Sequence, residues 1–89
     1  VQRLHQLGVV NRLSQPGEAL NDALALATTL NQRAPNALAS IKDLVTEASG
    51  NSLHEHLDNE RNHFVKNLSH ANAGEGIAAF FDKRTPRYQ

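Results

Sequence analysis

A chain with a single strand-like stretch cannot close a sheet, and this chain has only one. Gly8-Val9-Val10-Asn11-Arg12-Leu13 is short and β-branched, and the turn-like Ser14-Gln15-Pro16-Gly17 follows it. No second such run occurs among the 89 residues, so a strand here would leave its backbone donors and acceptors without a ladder partner. Two readings stay open. The stretch is a strand of a sheet whose other members lie outside this sequence, or it is an extended linker lying on helices. In both, the 89 residues must bury apolar surface helix against helix.

The helical signals are strongest in the last third. Ser52 and Glu55 stand at capping-box spacing, where each side chain can satisfy the other's backbone N–H. Leu53, Leu57, Phe64, Val65 and Leu68 then recur on one helical face. Asn72 and Glu75 repeat the cap signature ahead of Ile77, Ala78, Ala79, Phe80 and Phe81, with Gly74 and Gly76 read as the turn between two helices. The expectation is a helical hairpin, on which the earlier segments pack.

Upstream, residues 18–33 read as a helix. Glu18 and Asp22 come early and Arg33 late, as the helix dipole favours, and Ala19, Leu20, Ala23, Leu24, Ala27 and Leu30 form its stripe. Pro35 suits the first turn of the next helix, about residues 36–49, with Leu38, Ile41, Leu44, Val45 and Ala48 inward and Gly50 as its stop. Val1, Leu4 and Leu7 precede Gly8 like the tail of a helix that lacks an N-cap. With the lone strand-like stretch, this tail reads as part of a longer protein. The fold class is therefore all-α: about four helices in a small open bundle, with one short orphan extended segment near residues 8–13.

Composition narrows the function classes. Nine basic residues balance nine acidic ones, so no basic field draws in nucleic acid or an anionic membrane surface. With no Cys, disulfides, thiolate chemistry and Cys-bound metals are excluded. No apolar run approaches the roughly 20 residues of a membrane span. The expected location is cytoplasmic.

Three sets of side chains offer chemistry. His56, Glu60, His63 and Asn67 share one stripe, and two imidazoles within a turn of a carboxylate can bind a divalent ion. Such a site needs further acidic ligands from facing helices, and none is placed for it. The plainer expectation is a solvated face with a His56–Glu60 pair. A stand-alone helical interaction module with a weak metal site at His56, Glu60 and His63 is the alternative reading of function. Glu55, Asp58 and Glu60 lie on a polar, cap-rich turn rather than in a sheltered acid–base site. Phe64 reads first as core and Lys83 as a solvated helix end.

The run Ala71-Asn72-Ala73-Gly74-Glu75-Gly76-Ile77-Ala78-Ala79-Phe80-Phe81-Asp82-Lys83-Arg84-Thr85-Pro86 resembles the closing motif of the enoyl-CoA hydratase/isomerase (crotonase) family. That motif is an acidic-Gly-apolar-x-Ala-Phe-x-acidic-Lys-Arg-x-Pro pattern. Residues 7–13 followed by Pro16-Gly17-Glu18-Ala19-Leu20 resemble the family's Gly-Leu-Val-Asn strand and the helix after it, and residues 34–42 resemble the next helix start. Order and spacing agree over nearly the whole chain.

The resemblance implies a C-terminal helical region, catalytically inactive by itself, from an enzyme acting on acyl-CoA thioesters. In the family, two backbone N–H groups hold the thioester oxygen and stabilise an enolate-like intermediate. Those loops and the catalytic carboxylates lie upstream, so no residue here is implied to be catalytic. Phe64 matches an aromatic that contacts the adenine end of CoA, and Lys83 matches a lysine near the same nucleotide end. The resemblance further implies a homo-oligomer built on trimers, with Ile77, Phe80 and Phe81 expected at the interface. It implies no tightly bound cofactor, with the CoA thioester as substrate. Residues 1–13 are then the remnant of the missing core, and residues 14–89 the region for trimerisation and the CoA edge.

Overall fold

The computed structural model describes residues 1–89 and contains helices and turns without a strand. The chain forms two units, residues 1–30 and residues 31–89. In the first, α1 (Gln2–Gln6) closes in a Schellman motif. Val9 N–H donates to the Leu4 carbonyl at 2.9 Å and Gly8 N–H to the His5 carbonyl at 3.0 Å. Gly8 takes φ 77°, a left-handed conformation that costs glycine nothing. The strand-like stretch continues as turn and bends, with Val10 O 2.8 Å from His5 Nδ1. Then α2 (Ala19–Asn31) begins after Glu18, whose carboxylate accepts from Asn21 Nδ2 at 2.9 Å. No residue of α2 is buried, so its expected inward stripe is open.

The second unit holds α3 (Pro35–Glu47), a 3₁₀ turn (Ala48–Gly50), α4 (Leu53–Leu68) and α5 (Ala71–Asp82). Pro35 opens α3, since its missing N–H is one that a helix start leaves free. The capping box forms as expected: Glu55 N–H donates to Ser52 Oγ at 3.2 Å, and Ser52 N–H to Glu55 Oε2 at 2.8 Å. The start of α5 differs from expectation. Its N-cap is His70, whose Nδ1 accepts from Asn72 N–H at 3.0 Å, so Gly74 and Gly76 lie within the helix. Gly76 has a packing reason to be there, because a Cβ would stand 3.1 Å from the Tyr88 hydroxyl.

Contrary to the apolar pattern, the interior where α3, α4 and α5 meet is polar. The only buried apolar side chain of the chain is Ala79; Ser40 and Asn72 are buried with it, at 8% and 5% exposure. Leu53, Leu57, Phe64, Val65 and Leu68 face outward, as do Ile41 and Val45 of α3. The accessible surface is 7462 Å². Two separate globules of the units' sizes would expose only about 6,200 Å². The apolar faces therefore lack the cover that a self-sufficient domain gives its own.

Candidate functional site

The polar interior is a chain of amides and hydroxyls. Asn36 Nδ2 donates to Asn67 Oδ1 at 2.9 Å, and Asn67 Nδ2 donates to Ser40 Oγ at 2.8 Å. Ser40 Oγ lies 2.9 Å from His63 Nδ1. From Asn36 the chain continues to α5, where Asn72 Nδ2 donates to Asn36 Oδ1 at 2.8 Å. Asn72 also grips the chain end, donating to the Gln89 carbonyl at 2.8 Å and accepting from Gln89 N–H at 3.0 Å. No buried side-chain donor or acceptor is left without a partner, which is what makes a polar interior tolerable.

This network corrects the reading of the histidine stripe. His63 and Asn67 face α3 rather than solvent, because Asn36 and Ser40 present matching partners at helical spacing. His56 pairs with Asn51 Nδ2 at 3.3 Å rather than with Glu60, and Glu60 is exposed. The structure thus does not bring His56, Glu60 and His63 together, and no group of three potential ligand side chains assembles anywhere in the chain. Asn72 and Glu75, expected as cap residues, instead hold the C-terminal tail.

That tail, residues 84–89, folds back along α5. Arg84 makes a two-pronged pair with Glu75, Nη1 to Oε1 at 2.6 Å and Nη2 to Oε2 at 3.1 Å. Arg87 N–H donates to the same Oε1 at 2.9 Å. Hydrogen bonds from Arg84, then from the Arg87 backbone, hold the Glu75 carboxyl down to about 2. Glu55 is likewise held below the usual carboxylate range by the Ser52 backbone and hydroxyl. For both, the folded state binds its proton less readily than the unfolded chain does. The stabilisation is therefore present above the ordinary value of 4.5 and, for Glu75, lost as pH falls towards about 2. Acid titration followed by amide exchange should show the Arg87 amide, which donates to that carboxylate, losing protection across that window, and Arg84→Gln should move the loss up towards 4.5.

Beside the network lies an open groove of about 410 Å³. Phe64, Leu68 and Ile77 supply apolar walls, Asn36 and Asn67 polar ones, and Tyr88 of the tail one edge. Phe64 is 64% exposed, so it is a surface ring rather than core. Phe80 and Phe81, 79% and 76% exposed, stack edge to face with centroids 5.7 Å apart. Lys83 sits where α5 ends, with φ 53° in the left-handed region. There Lys83 N–H donates to the Phe80 carbonyl at 3.3 Å, and Arg84 N–H to that of Ala79 at 3.1 Å, a Schellman closure whose pivot is normally glycine. Lys83→Gly should remove this strain and raise stability by about 1 kcal/mol in thermal denaturation. Sequence reasoning missed Tyr88, Arg84, and the tail roles of Glu75 and Asn72.

The profile of the enoyl-CoA hydratase/isomerase family matches residues 1–89. The chain belongs to the enoyl-CoA hydratase/isomerase family. Among solved structures, an enoyl-CoA hydratase from Polaromonas sp. JS666 superposes with a TM-score of 0.95 at 61% identity, over 100% of this chain and 35% of that one. A Thermus thermophilus relative is 39% identical over 84 residues, 92% of this chain and 32% of its own length. Carnitinyl-CoA dehydratase of Salmonella arizonae is 36% identical over 86 residues, 92% of this chain and 33% of its own. The chain thus spans about a third of the length of the family members it matches. No helix is long and apolar enough to cross a membrane.

Proposed function

We propose that these residues form the helical C-terminal region of an enzyme acting on acyl-CoA thioesters, serving assembly and one edge of the CoA site. The observation that carries this reading is the inversion of α4: its polar stripe is used inside the unit and its apolar stripe is left outward. A helix that turns Leu53, Leu57 and Phe64 outward is made to be covered by something else. Ile77, Phe80 and Phe81 of α5 are then the contact to neighbouring subunits of a trimer-based homo-oligomer. Residues 14–89 supply these surfaces, and residues 1–13 join them to the rest of the enzyme.

Phe64 and Lys83 contact the nucleotide end of CoA. An exposed ring offers a face for adenine, and an ammonium held at a helix end offers a charge for phosphate. Catalysis lies elsewhere in the protein, where two backbone N–H groups hold the thioester oxygen and stabilise an enolate-like intermediate. No tightly bound cofactor takes part.

The test is hydration of a short 2-enoyl-CoA by the whole protein, followed by loss of the conjugated thioester absorbance. Phe64→Ala should raise KM about tenfold with kcat within twofold, since the contact lies far from the reacting carbons. A fall in kcat at unchanged KM would count against the assignment.

A further inference from the structure

Lys83 is the only non-glycine residue of the chain with positive φ, and the chain is clamped on both sides of it. Behind it, the Schellman hydrogen bonds close α5. Ahead of it, Glu75 takes hold of the tail. Glu75 lies about two helical turns before Lys83, and its carboxylate reaches past Lys83 to the Arg84 guanidinium and the Arg87 backbone. The Lys83 side chain itself makes no ion pair within the chain. An L-residue is strained in this conformation and keeps it only where its surroundings over-determine it.

We propose that Glu75 is a positioning residue for coenzyme A: by holding Arg84 and Arg87 it keeps Lys83 left-handed and so presents the Lys83 ammonium to the phosphates of the CoA nucleotide. The inference rests on the assignment of Lys83 to the CoA edge. Without the clamp, Lys83 relaxes to a right-handed or extended conformation and its side chain leaves in another direction. The competent fraction falls, and the apparent dissociation constant rises in inverse proportion. Because Arg84 and the Arg87 backbone hold the Glu75 carboxyl down to about 2, the clamp stays charged throughout the neutral range.

A double-mutant cycle on the whole protein tests this, with coenzyme A itself as titrant. Lys83→Ala should weaken binding about tenfold, and Glu75→Gln on the order of fivefold. In the Lys83→Ala background, Glu75→Gln should change nothing further, because nothing remains to position. Arg84→Gln serves as a second route to the same release and should behave likewise, whether or not Glu75→Gln folds well. A merely structural role would lower the melting temperature without this dependence on Lys83. Equal losses in both backgrounds, or no loss from either clamp variant, would overturn the inference. If Lys83→Ala binds coenzyme A as tightly as the parent protein, the assignment of Lys83 to the CoA edge fails first, and the inference with it.

Discussion

Asn72→Ala is expected to release the C-terminal tail and to cost about 2–3 kcal/mol of stability. Asn72 is 5% exposed and its side chain makes three hydrogen bonds, to Asn36 Oδ1 and to the N–H and carbonyl of Gln89. Truncation removes all three and leaves the half-buried Asn36 carbonyl oxygen without its partner. Each lost hydrogen bond is worth about 0.5–1.5 kcal/mol net, and a half-buried partner left without one falls at the upper end. The tail partners can turn to water, so most of the loss arises at the α3 side. Denaturant titration of the whole protein would measure the loss, and amide exchange would locate it at the first turns of α3 and α5, with the Gln89 amide losing its protection. Asn59→Ala is the control. Its side chain donates to Glu47 at 3.3 Å on the surface, and removing it should change stability by under about 0.5 kcal/mol.

Replacing Phe80 and Phe81 together by serine should have the largest effect on assembly and little on the helical unit. Both rings are more than three-quarters exposed within the chain, so removing them opens no cavity. Burying one such ring against a neighbour is worth about 1.5–3 kcal/mol. Losing two should weaken association at least about a hundredfold. Sedimentation velocity across a concentration series would show the double variant dissociating where the parent protein stays assembled. Circular dichroism of the variant should keep the parent's helical signal. An unchanged oligomer would remove α5 from the interface.

What could be read in advance divides along a physical line. The capping box at Ser52 and the glycine closure at Gly8 depend on neighbours three to five residues away, so their chemistry is written locally. The helix types followed from periodicity. The direction in which α4 faces did not. Hydrophobic periodicity presumes that apolar residues point inward, and here a polar network takes that place. Its signal was present in the i, i+4 pairs Asn36/Ser40 and His63/Asn67, which are short, matched donors and acceptors on consecutive turns. The tail left no periodic trace, because Glu75 meets Arg84 nine residues on and Asn72 meets Gln89 seventeen residues on. The left-handed lysine was hidden for a related reason: that pivot advertises itself only when it is glycine. Family resemblance pointed to Phe64 and Lys83 as the expected contacts, and both are exposed at the surface.

The most direct test of the account is a titration of coenzyme A against the whole protein and its Phe64→Ala/Lys83→Ala double variant, with oligomeric state checked on both samples. A ring contact and a charge contact, each worth about tenfold, together should weaken binding at least about thirtyfold while the assembly stays intact. Equal affinity in the two proteins would contradict the account, since these helices would then take no part in holding the CoA nucleotide.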